Sequence, residues 1–364
     1  MTLTLADALV APAMELLQKL MVGTIRRRVA LQQETEVLDE EDADLLERRE
    51  EWEQELLNSC QEALGWLLRL KGAAALEPFH RLLFPLVEPL LAADSEGNAL
   101  ELRLLSLCIH LDVLEHGGPQ AAALAPAILP HVKALLGADD EDCQQTGAYG
   151  VGVLAQHGGD ALDAATVQQQ LLPALLALIV PQPGGRAPPP EPGCVRDNAV
   201  SSVLRLCRHR PQLLGGAEAA ARLLHEGALT WLPLREDLGE AHSCHAHFVE
   251  WAASGDPGLF GAQGERLGSV VGALAALMVD QRPAEDRAAD SRGAEDGDAE
   301  ELEDEMWQEQ FVTRQTRLDI ERCMARIQAS YPADALAAVW AGLDEERRRA
   351  VQTPTANVFR QQAQ

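Results

Sequence analysis

Residues 147–152, GAYGVG, set glycines at 147, 150 and 152, and Gly158 and Gly159 close the same stretch. A G-x-x-G-x-G run can bring backbone N–H groups against a phosphate, but a dinucleotide loop needs a strand before it and a helix after it. Here the preceding residues are Asp139, Asp140, Glu141 and Asp142, which would repel a pyrophosphate, and no β-branched run comes before them. Small residues at 147, 148, 150, 152 and 155 instead suit close helix-to-helix approach. A second cluster, AHSCHAHF at 241–248, gathers His242, Cys244, His245 and His247. On a helix His242 and His245 share a face, as do Cys244 and His247. Zinc needs four converging ligands, and no second pair lies nearby, so no metal is expected. No G-x-S-x-G, P-loop or HExxH occurs. The chain reads as a non-enzyme without catalytic residues or cofactor.

What must position these residues is helical. The 364 residues are 47% hydrophobic but only 4% aromatic, and Leu, Ala and Val supply most of the apolar mass. Leu and Ala favour helix over sheet. The chain also repeats. LEHGGP at 114–119 returns as AQHGGD at 155–160, and FPLVEPLL, LPHVKALL, LPALLALI and LPLREDLG align on Pro85, Pro130, Pro173 and Pro233. Each period holds two helical patterns. Acids such as those at 139–142 open the second helix, and paired glycines such as Gly158 and Gly159 close it with a positive φ. Two helices per 40–47 residues predict an all-α fold, an α-α superhelix of the HEAT or armadillo type with about six helix pairs. The array is expected over 1–350, with pairs near 1–70, 73–117, 120–158, 163–210, 216–254 and 258–330. An acidic loop at about 34–44, a Pro-rich insertion at 181–193 and a charged, disordered loop at 283–305 interrupt it, and 351–364 form a C-terminal tail.

The formal net charge is -27, from 57 acids and 30 bases. That excludes direct nucleic-acid binding and points to basic partners, although acidity can also serve solubility alone. Seven cysteines in no framework suggest free thiols in a reducing compartment. The N-terminus lacks the form of a signal peptide, and no uninterrupted apolar run of about 18 residues predicts a membrane span. The second helices, expected on the concave side, carry Glu101, Asp112 and Glu115, then Asp197 and Asn198, then Glu240 and Glu250. They read either as a negative trough for Lys and Arg side chains or as ordinary cap and surface charges. Trp231 and Trp251 read either as faces for the stems and cations of a basic peptide or as core.

AYGVGVLAQHGGD, DNAVSSVLRLCRHRP and WLPLREDLGEAH, in this order and spacing, resemble the C-terminal HEAT repeats of importin-beta-type karyopherins. They are most similar to the branch that imports ribosomal proteins and histones. Residues 148–159 match its inner-helix form A-Y-G-x-G-x-x-A-Q-x-G-G, residues 231–237 match a later repeat, and EVLDEEDADLLERREEWEQE at 36–55 resembles its acid-rich segment. The resemblance spans about residues 20–350. It implies a nuclear transport receptor that holds basic cargo on a concave surface, passes nucleoporin FG repeats, and works in cytoplasm and nucleus, including pores of the nuclear envelope. The N-terminal repeats that bind the GTPase Ran in that family are not in this sequence, so Ran binding is not expected of it. No direct nucleic-acid or membrane partner is expected. The alternative is a HEAT scaffold subunit of another complex, without transport activity.

Overall fold

The computed structural model describes residues 6–34, 40–92, 99–180, 193–279 and 311–352. The charged stretch 283–305, the Pro-rich insertion up to residue 192 and the tail beyond Gln352 lie outside the described residues. Every regular element among the described residues is helical. The chain is all-α and built of HEAT-like helix pairs. It divides into two compact units, Met1–Asp163 and Ala164–Gln364.

In the first unit α1 (Val10–Glu34) pairs with α2 (Glu40–Lys71). Thus α2 opens inside the stretch expected as an acidic loop. Then α3 (Leu76–Leu82) and α4 (Phe84–Leu91) precede α5 (Ala99–His116), and α6 (Ala125–Leu136) pairs with α7 (Glu141–His157). The second helices α2, α5 and α7 pack on one another in order. One face of α1 buries Val10, Met14, Leu17, Met21 and Leu31. The helix Asp7–Leu31 is long and apolar enough to cross a membrane by length and composition, but it carries Glu15, Lys19 and Arg26 to Arg28 and packs on α2 and α3.

The second unit begins with α8 (Ala164–Ile179) and α9 (Cys194–His209). It continues with α10 (Ala217–Arg222), α11 (Leu238–Ala253), α12 (Leu267–Met278) and α13 (Arg314–Ser330), and ends in α14 (Ala333–Gly342) and α15 (Glu345–Gln352). Here α9 packs on α11 and α11 on α13.

The marker prolines shape the first helices. Pro85 stands in the first turn of α4, and Pro130 lies inside α6. Pro173 follows a wide π turn at Val167–Leu171 within α8. A proline has no N–H for the helix ladder, and a wider turn is one way to absorb the loss. Pro233 is different: it lies in the segment before α11, outside any helix. The fourth aligned marker therefore falls at another place in its repeat.

Candidate functional site

GAYGVG lies inside α7, where the helix ladder uses the backbone N–H groups that a phosphate would need. Asp140 caps this helix, accepting from Cys143 N–H at 2.9 Å. A Cβ on Gly147 would stand 2.5 Å from the Leu136 backbone nitrogen, so only glycine lets α7 approach α6 this closely. Of the closing pair, Gly159 has the left-handed φ of +57°. Gly158 does not: its φ is -76°, and it is glycine because a Cβ would meet the Leu154 carbonyl oxygen at 2.5 Å.

The histidine cluster also resolves into structure. His245 is fully buried. Its Nε2 accepts from Leu234 N–H at 3.0 Å, and its Nδ1 meets the Phe311 carbonyl at 2.8 Å. Those partners need a neutral ring protonated on Nδ1. Burial pushes the pKa of His245 down to about 4, which keeps it neutral. The neighbouring Cys244 thiol is pushed up to about 12, chiefly by burial. Among the described residues, no three His, Cys, Asp or Glu side chains gather as a metal site would require.

The acids expected to form a trough divide by position. Asp197 is 3% exposed, and its Oδ2 accepts from the backbone N–H groups of Arg235, Glu236 and Asp237 at 2.9, 2.7 and 3.0 Å. Burial raises its pKa, while those three hydrogen bonds oppose the rise. Asn198 donates to the Cys194 carbonyl at 2.9 Å and to Asp237 Oδ2 at 2.8 Å. Glu240 is buried between the Ser201 hydroxyl and Arg205, whose guanidinium lies 3.3 Å away. These three residues form a polar ladder that joins α9 to α11. They face inward and hold repeats together, a different place from the open trough expected of them. At the exposed end of this ladder Glu250 pairs with Arg208 at 3.2 Å.

The first unit keeps its acids nearer solvent. Glu101 is exposed and pairs with the buried Arg28 of α1. Glu115 accepts from the Tyr149 hydroxyl of α7. Asp112 is half-buried and accepts from Gln61 Nε2 of α2 at 2.9 Å. Burial, with Glu115 in support, raises the Asp112 carboxyl to about 7, against the Gln61 hydrogen bond and Arg69. Glu62 lines the same cleft as Asp112, and Glu51, Glu55 and Glu62 are all exposed on α2. Their i, i+4, i+11 spacing puts them on one face of the helix.

The tryptophans trade places. Trp251 is buried, and its Nε1 donates to Asp256 Oδ2 at 2.7 Å, so it is core. Trp231 is half-buried, packed close to Gly227. Among the described residues, the exposed aromatics are Trp52 and Trp66 on α2, 77% and 60% accessible. Sequence reasoning passed over both. Their signal was the spacing Leu45, Trp52, Trp66 and Leu70, which runs along one side of α2 and stays exposed.

No protein-family model matches the chain. It is 27% identical over 226 residues to a Dictyostelium discoideum protein named probable importin-5 homolog, covering 61% of this chain and 20% of that one. It is 26% identical over 190 residues to human importin-4, covering 52% of this chain and 16% of the relative. The chain thus spans about a fifth or less of the length of these relatives. The resemblance carried by the repeat residues agrees with both.

Proposed function

Homology to importins supports placing the chain in the importin-beta family, and from that premise we propose that it is a nuclear import receptor, or the cargo-holding part of one. In this reading it binds basic nuclear localisation signals, with ribosomal proteins and histones as the cargo class. It is a carrier and not a catalyst, and it moves between cytoplasm and nucleus through contact with nucleoporin FG repeats at the pore. Ran binding is not part of the proposal.

The observation that supports it best is the face of α2 that shows Glu51, Glu55 and Glu62 beside the exposed Trp66. Acids at helical spacing attract Lys and Arg by charge, and an indole offers a surface for their stems and cations. Glu101 of the same unit adds a further exposed acid, already engaged with one arginine; in the second unit Glu250 is exposed and likewise paired with an arginine.

The test is a titration of a fluorescent lysine-rich peptide at 50 and 300 mM salt. Exposed charges are screened over about 8 Å at physiological ionic strength, so affinity should fall steeply with salt. Equal affinity at both concentrations, or no binding at the lower one, would sink the cargo role and favour a scaffold.

A further inference from the structure

Between α2 and α5 lies a cleft of about 200 Å³, with Asp112 in one wall and Gly65, Trp66, Glu62 and Arg69 around it. Three features distinguish it from the rest of the acidic surface. First, Asp112 takes a single side-chain hydrogen bond, from Gln61, although a carboxylate can accept several. Second, Gly65 has no Cβ to crowd the carboxylate: one there would stand 3.1 Å from Asp112 Oδ2. Third, the exposed Trp66 ring already carries a cation, the Arg69 guanidinium, 5.1 Å from the ring centroid.

We propose that this cleft is a subsite for one lysine side chain of a bound basic segment. The stem lies on the Trp66 ring in place of Arg69, and the ammonium meets the Asp112 carboxylate. Glu62 at the rim and Glu115 one turn along α5 add negative charge. The inference rests on the cargo reading and sharpens it: charge alone draws basic segments to the surface, and this cleft selects where one side chain seats.

A pH dependence follows. A lysine binds the ionised carboxylate, so affinity should rise as pH passes through the Asp112 titration near 7. The other charged or titratable groups facing Asp112 are Glu62 and Arg69 from α2 and Cys108, Glu115 and His116 from α5. Asp112→Asn separates its titration from theirs.

The experiment uses the full chain and a fluorescein-labelled peptide with four lysines in a Gly/Ser background, read by anisotropy at pH 6, 7 and 8. Asp112→Asn should weaken binding by about tenfold and flatten the pH dependence, as loss of a charge-assisted contact does. Trp66→Ala should weaken it too, and Arg69→Ala should tighten it by freeing the ring. Acetylating the peptide's lysines should abolish binding. Trp66 and Arg69 are exposed, so their variants report even if Asp112→Asn unfolds. If wild type binds and none of the three variants changes affinity, the subsite is wrong and the cargo reading survives. If wild type fails to bind at low salt, both fall.

Discussion

His245 shows how a residue suggestive of metal chemistry can be spent on architecture. Its ring bridges the Leu234 amide and the Phe311 carbonyl, and both bonds need it neutral. The folded pKa is about 4 against an ordinary 6.5, so below pH 6.5 the unfolded chain binds a proton that the folded one refuses. Stability from this group is therefore complete above about pH 6.5 and is lost as pH falls toward 4, by on the order of 3 kcal/mol. Asp112 works in the opposite sense, because its raised pKa makes the folded state the better proton binder up to about 7. Urea unfolding from pH 4.5 to 7.5 should show the difference between wild type and His245→Gln shrinking as pH falls. A constant difference would refute the assignment. The sequence made such residues visible but not their direction. Asp197, Glu240 and Glu250 sit on two facing helices, yet only the packing of α9 on α11 decides which is buried. Trp251 and Trp66 are likewise the same residue type, separated only by what lies opposite them.

At the scale of elements, the ladder between α9 and α11 places a buried ion pair, Arg205 with Glu240, in the joint between repeats. Removing one member of such a pair leaves a buried charge short of its partner and typically costs 3–5 kcal/mol, whereas replacing both by apolar residues of similar size is often neutral. Glu240→Ala should accordingly lower the unfolding free energy by about 3 kcal/mol or more. The double variant Arg205→Met, Glu240→Met should recover most of that loss. A double variant as unstable as the sum of its singles would show that the two residues act independently, with no pair energy between them. The elements themselves were largely legible. Leucine and alanine periodicity marked the helices, Asp140 capped α7 as its position suggested, and glycine pairs marked helix ends. Pro233 misled because a proline before a helix and one inside it look alike in sequence, and only the hydrogen-bond ladder tells them apart.

The whole molecule keeps two kinds of connection apart. The link from the first helix of a pair to its second ranges from residues 137–140 in one case to residues 279–313 in another. The links between successive pairs within a unit run over 72–75, 117–124, 210–216 and 254–266, and each holds a short helical turn. The repeat period in the sequence held the first fact, as the long interval across the Pro-rich stretch. It did not show that one within-pair link, 223–237, is gripped by the preceding pair: one oxygen of Asp197 holds three of its successive amides. For a flexible link, doubling its length costs only about 0.6 kcal/mol in closure entropy, so a link that no neighbour holds can grow cheaply. The clamp has no such latitude, since one added residue breaks the run of amides. Eight Gly/Ser residues inserted between Gly184 and Gly185 should leave the thermal midpoint nearly unchanged, while the same insert between Arg235 and Glu236 should lower it by many degrees. Equal effects would refute the distinction. Length in this protein can be added to a link that no neighbouring repeat grips and is refused where one does, so insertions can accumulate at the first kind of place while the stacking of one pair on the next stays in register.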